Sequence, residues 1–178
     1  MSNWNRVFKP IVVLCAICIV ITGALAATNA ATAPVILEAT IKAQNEARNE
    51  LLPEAGGAFS KVDGVKVDSV SDVYAADNGT GYVITSNAKG YGGTITVMSA
   101  FTPDGTLKQI KVTEAQETPG FGSKVAATPS YWERYKGKDA GKALVLNQDI
   151  DAETGATISS KALLRAVNSA IEAYNAIP

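Results

Sequence analysis

The sequence contains no histidine. No side chain has an unperturbed pKa close to neutrality, so a His-containing catalytic triad and a His-ligated metal or haem are excluded. Cysteine is nearly as scarce. Cys15 and Cys18 are the only two, and both lie in the apolar N-terminal stretch. The rest of the chain therefore has no disulfide, no thiolate cluster and no cysteine nucleophile. An excess of either charge is missing too. The formal net charge is −1, with no basic cluster and no long charge run, so no nucleic-acid partner is expected. If such a chain does redox chemistry, an organic cofactor has to supply it.

What is present begins with an uncharged run, Ile11 to Ala27, which weakly polar residues extend towards Ala33. It is about the length, roughly 20 residues, that crosses a bilayer as a helix. Arg6 and Lys9 precede it, and the next basic residue is Lys42. The positive side stays in the cytoplasm, which puts the C-terminal part outside. Ala24-Leu25-Ala26 resembles a signal-peptide cleavage site, but the apolar run continues past it, so a retained anchor is expected. The expected organisation is a cytoplasmic terminus over 1–9, a transmembrane anchor over 10–31 and a globular domain over 34–178. Cys15 and Cys18 share a helix face, which suits either iron–sulfur ligation shared with a partner or, more simply, small polarisable residues of a membrane helix.

From Pro34 the pattern is helical, with Ile36, Thr40, Ala43, Ala47 and Leu51 at three- and four-residue steps. Lys42, Glu46, Arg48 and Glu50 fall on the other faces, and Pro53 with Gly56-Gly57 ends the helix. Short β-rich runs follow at 62–70, 72–76, 81–86, 94–101 and 107–113. The fourth alternates Ile95, Val97 and Phe101 against Thr94 and Thr96, as a half-buried strand does, and Pro103-Asp104-Gly105 reads as its hairpin turn into the fifth. A loop-rich stretch runs from Glu114 to about Ser130, and residues 131–135 suit a short helix. A final amphipathic helix spans 159–174, with Leu163, Val167, Ala170 and Ile171 as its apolar stripe. Ser159 or Ser160 can cap its start. The fold class is α+β: a twisted antiparallel sheet packed with helices, preceded by one N-terminal transmembrane helix.

The segment Asp151-Ala152-Glu153-Thr154-Gly155-Ala156-Thr157-Ile158-Ser159-Ser160 is a hydroxyl-rich, Gly-containing loop entering that helix. Free backbone N–H groups and the positive end of the helix dipole suit a phosphate there, although an ordinary N-cap loop has the same composition. The run resembles the flavinylation motif Asp-x-x-(Ser/Thr)-Gly-Ala-Thr of the FMN-binding domain family. That family includes the G subunit of the Rnf electron-transport complex and the C subunit of the sodium-translocating NADH:quinone oxidoreductase. Glu117-Thr118-Pro119-Gly120-Phe121-Gly122 is similar to the family's Glu-Thr-Pro-Gly-Leu-Gly loop, with Phe121 in place of Leu. Gly90-Tyr91-Gly92-Gly93 resembles its Gly-Tyr-Gly-Gly, and Trp132 follows at the family's spacing. Many members carry His just upstream of Glu117, where this chain has Ala115-Gln116, so any polar role of that His is unfilled. The resemblance covers roughly residues 35 to 178 and the anchor.

The resemblance implies a covalent FMN, moved from FAD by a flavin transferase onto Thr157, with Asp151, Thr154, Gly155 and Ala156 completing the motif. It implies that Thr118, Gly120, Phe121 and Gly122 bring backbone N–H groups to the isoalloxazine. Glu117 either hydrogen-bonds the ring or braces its loop. Tyr91 and Trp132 either stack on the ring or pack at the rim and core, and Lys124 is expected to be solvated. The compact chain looks more like the Rnf G subunit than the longer quinone-reductase C subunit. The implied role is electron relay in an ion-translocating ferredoxin:NAD oxidoreductase (Rnf) complex, beside other membrane subunits and without its own substrate site. A component like the quinone-reductase C subunit and a stand-alone flavinylated extracytoplasmic reductase are the alternatives.

Overall fold

The computed structural model describes residues 8–178 apart from Thr118 and Phe121. Helix α1 runs Lys9–Leu51 with Pro34 inside it, so the two expected helical stretches are one element. It is long and apolar enough to cross a membrane. The chain divides into two compact units, residues 1–43 and 44–178. The second unit includes the last turns of α1 and everything after them.

Six strands form one sheet in chain order, each antiparallel to the next. They are β1 (Phe59–Lys61), β2 (Val70–Ala76), β3 (Tyr82–Lys89), β4 (Thr94–Phe101), β5 (Thr106–Ala115) and β6 (Lys138–Asp139). The expected strand at 62–70 is not formed. After Val62 N–H donates to the Val73 carbonyl at 2.8 Å, left-handed residues at Gly64 (φ +96°) and Ser69 (φ +69°) turn the chain out of register. Val62, Val65 and Val67 instead pack half-buried against the core. The β4–β5 hairpin forms at Pro103-Asp104-Gly105, where Gly105 is left-handed and the Asp104 carboxylate accepts from the Thr102 and Thr106 hydroxyls. Those two bonds, Thr102 first, hold the Asp104 pKa below its usual value.

Helix α4 (Thr157–Asn175) covers one face of the sheet. Its buried Leu163, Val167, Ala170 and Ile171 meet Ile84, Val97 and Phe101, and Ser86 Oγ donates to the Ala166 carbonyl at 2.8 Å. The opposite face is covered as well, by Ala47, Leu51 and Leu52 against Val83, Met98 and Ala100. The half-buried reading of β4 therefore fails: Val97 to Phe101 are buried on both faces. Arg48, expected on a polar face, is also buried. Its guanidinium lies 3.8 Å over the Tyr74 ring, an arrangement that keeps a cation paired without water. Gln109 Nε2 donates to the Glu50 and Leu51 carbonyls at 2.9 and 3.0 Å, satisfying acceptors at the C-terminus of α1.

Between β5 and β6 lie α2 (Ser123–Ala126), α3 (Pro129–Trp132) and a 3₁₀ turn over Glu133–Tyr135. Tyr131 and Tyr135 anchor this segment in the core, and burial pushes the Tyr135 phenol pKa upward.

Candidate functional site

The Asp151–Ser160 segment is held from both ends. Upstream, the Asp151 carbonyl accepts from Tyr131 Oη at 3.0 Å and from Arg134 Nη1 at 3.1 Å, and Glu153 pairs with Arg134 at 3.3 Å. Downstream, Ser160 Oγ accepts the Glu153 N–H and donates to the Ala156 carbonyl, both at 3.0 Å. Gly155, at φ +79°, makes the reversal between these anchors. Thr157 is then the first residue of α4, with its side chain exposed.

Neither serine caps the helix as expected. Ser160 ties down the preceding loop, and the Ser159 hydroxyl donates to Glu117 at 2.9 Å. The ladder of α4 begins with Ser160 N–H to the Ala156 carbonyl at 2.9 Å, so the amides of Thr157, Ile158 and Ser159 precede it. An exposed hydroxyl beside those amides, at the positive end of a 19-residue helix, is a donor set that fits a phosphate.

A cleft of about 460 Å³ opens at this point, lined by Tyr91, Gly122 and the stretch from Gly155 to Ser159. Tyr91 and Ile158 are exposed apolar side chains on its walls. The three segments singled out in the sequence therefore meet in one place. Glu117 joins them: its Oε1 accepts the Tyr91 N–H at 3.0 Å, and its Oε2 accepts the Gly92 N–H at 3.4 Å and the Ser159 hydroxyl. These three bonds brace the walls of the cleft.

Other residues fall elsewhere. Trp132 does not line the cleft; it packs half-buried against the core and donates its indole N–H to the Val125 carbonyl at 2.8 Å. Lys124 is exposed. Thr154 and Asp151 are exposed on the motif loop. Thr118 and Phe121 lie outside the described residues. A wider groove of about 690 Å³, lined among others by Lys89, Arg165 and Asn168, contains none of the described residues expected to bind flavin.

A Cβ on Gly120 would touch none of the described residues, and its φ of +82° is a left-handed conformation that glycine adopts without strain. Gly120→Asn, which tolerates that conformation, should keep thermal stability within about 1 kcal/mol of wild type, and Gly120→Val should lose about 2 kcal/mol. Equal melting temperatures for the two variants would show that the turn does not require a left-handed residue. The close-approach glycines are Gly90 and Gly122, where a Cβ would collide with the two Glu117 oxygens.

Sequence reading missed Arg134 and Ile158. Nothing in the spacing links Arg134 to the motif. Ile158 did carry a signal, being an apolar residue off the buried stripe of its helix.

An FMN-binding domain family model matches residues 90–172, which hold all three segments. The G subunit of the proton-translocating ferredoxin:NAD⁺ oxidoreductase complex of Clostridium ljungdahlii is 34% identical over 96% of this chain and 93% of its own length. The corresponding subunit of the Na⁺-translocating complex of Acetobacterium woodii is 32% identical over 97% and 93%. This chain belongs to the G-subunit family of ion-translocating ferredoxin:NAD⁺ oxidoreductase complexes. Among solved structures, Shewanella oneidensis NqrC is similar, with a TM-score of 0.51 and 25% identity over 67% of this chain and 69% of that one. Within the G-subunit family frame, the sheet and α4 are the scaffold and the Tyr91–Thr157 cleft is its candidate cofactor site.

Proposed function

We propose that this chain is a membrane-anchored flavoprotein subunit that relays electrons through FMN held as a phosphoester on Thr157. The observation that carries this is the exposed Thr157 hydroxyl at the open start of α4, facing a cleft with apolar walls. Attachment from FAD balances simply: Thr157 Oγ1 forms a bond to the phosphorus of the FMN half, the pyrophosphate bond breaks, AMP leaves and the hydroxyl proton is released. A flavin transferase catalyses this. When bound, the flavin supplies one- and two-electron redox chemistry.

The chain's own residues supply the setting. Gly155 and Ser160 hold Thr157 outward, the α4 amides stabilise phosphate charge, and Tyr91 and Ile158 offer apolar surface to the ring. No separate substrate site is needed for a relay. The partners are the other membrane subunits of an Rnf-type complex. Relatives matched along nearly their whole length are G subunits, which favours this over the role of a quinone-reductase C subunit or a stand-alone reductase.

The experiment is in-gel flavin fluorescence of the denatured full chain after co-expression with a flavin transferase, with intact mass for the FMN increment. A colourless polypeptide without the increment sinks the reading. Orientation is tested separately. With Arg6 and Lys9 on the cytoplasmic side, the domain should be digested by protease added to intact spheroplasts. Protection until lysis would place it in the cytoplasm.

A further inference from the structure

We propose that Glu117 never touches the flavin ring but is the positioning residue of its site. Its carboxylate pulls the Gly90–Gly93 turn and the first turn of α4 towards each other, and so sets the distance across the cleft between Tyr91 and Ile158. This rests on the functional reading above and adds the device that shapes the site.

Three donors converge on this one side chain: the amides of Tyr91 and Gly92 from the β3–β4 turn, and the hydroxyl of Ser159 from α4. A carboxylate offers about four acceptor positions, so three are occupied before a ligand arrives. Bonds to an ionised acceptor are roughly twice as strong as neutral ones. Ser159 is buried and lies two residues after Thr157, so Glu117 acts on the acceptor's own helical turn.

The glycines explain how the carboxylate fits. Gly90 and Gly122 flank it, and a Cβ on either would overlap an Oε atom; on Gly122 it would also come within 2.7 Å of Ser159 Oγ. Gly122 has φ −61° and ψ −29°, an ordinary helical conformation that alanine adopts freely. Glycine there is required by Glu117 rather than by the backbone. Gly93 is pressed against Gln116 in the same way, with a Cβ falling 2.6 Å from the Gln116 Cβ. The turn, the β5–α2 loop and the helix start are thus packed around one carboxylate, and the exposed Tyr91 ring is aimed by backbone that this carboxylate holds.

Gly122→Ala is therefore a steric probe of the Glu117–Ser159 contact that leaves the local backbone unstrained. Glu117→Gln keeps the shape but turns one acceptor into a donor facing an N–H. Ser159→Ala cuts only the link to α4. Each is made in the full-length chain, co-expressed with flavin transferase and purified in detergent. The readouts are covalent flavin, visible spectrum, midpoint potential, and amide exchange at Tyr91 and Gly92.

All three variants should keep covalent flavin, because Thr157 is intact. Gly122→Ala and Glu117→Gln should shift the spectrum and the potential in the same direction, and Ser159→Ala should shift them less. Tyr91 and Gly92 amides should exchange at least about tenfold faster in Glu117→Gln. A wild-type spectrum and potential in both Glu117→Gln and Gly122→Ala, even with faster exchange, would reduce Glu117 to a loop brace and overturn the proposal. If the wild type carries no covalent flavin, the functional reading fails by itself, and unchanged Tyr91 and Gly92 amide exchange in Glu117→Gln would then overturn the clamp as well. Should Glu117→Gln fail to fold, the comparison of Gly122→Ala with Ser159→Ala decides.

Discussion

Thr157→Ala should abolish covalent flavin completely while leaving the domain as stable as wild type. The side chain is exposed, and no hydrogen bond ties its hydroxyl to the described residues. Alanine is the better helix former at the first position of α4. The motif loop keeps its anchors, since Ser160, Tyr131 and Arg134 hold it independently of Thr157. The stability change should therefore stay within about 0.5 kcal/mol. The denatured variant should show no flavin fluorescence, its mass should lack the FMN increment, and electron transfer through the assembled complex should stop. Thr157→Ser keeps a hydroxyl in reach and should retain some flavin. If the alanine variant is still fluorescent after denaturation, the acceptor is another hydroxyl, with the exposed Thr154 the first candidate.

The largest expected loss of stability is at a residue with no part in the chemistry. Gly81 closes the turn between β2 and β3 with φ +154°, and its carbonyl accepts the Ala76 N–H at 2.9 Å. A Cβ there would run into the backbone carbonyl of Phe101 and come within 3.4 Å of a Leu52 methyl. Phe101 is held in β4 and cannot yield as a flexible side chain would. Gly81→Ala combines a disfavoured backbone conformation with overpacking, and the two together cost about 3 kcal/mol. Thermal unfolding of the full chain in detergent should fall by roughly 10 °C. A shift of a degree or two would mean that β3 slides away from β4 at little cost, contrary to their register.

How legible this molecule was in its sequence depended on whether a feature announced itself locally. The strands at 72–76 and 94–101, the Pro103-Asp104-Gly105 hairpin and the α4 stripe all have short-range signatures, and all are present. The valines of 62–70 carried the same signature, yet chain-reversing residues at Gly64 and Ser69 overrode it. Burial of Arg48 and of both faces of β4 depended on packing between α1 and strands far along the chain, which no local pattern encodes. The site shows the same division. Its three segments were recognisable one by one, but not that Glu117 would tie them together. Gly120 and Gly122 look alike in the sequence; one is required by its backbone angle and the other by a neighbouring carboxylate.

Helix α4 follows all six strands in the chain, and its buried face completes the core on one side of the sheet. The Ser159–Glu117 bond and the wall of the cleft that carries Thr157 both depend on that helix being docked. On the functional reading, an attaching enzyme that recognises the assembled surface can act only on a finished domain. On that reading, covalent colour would report that α4 has docked on the sheet.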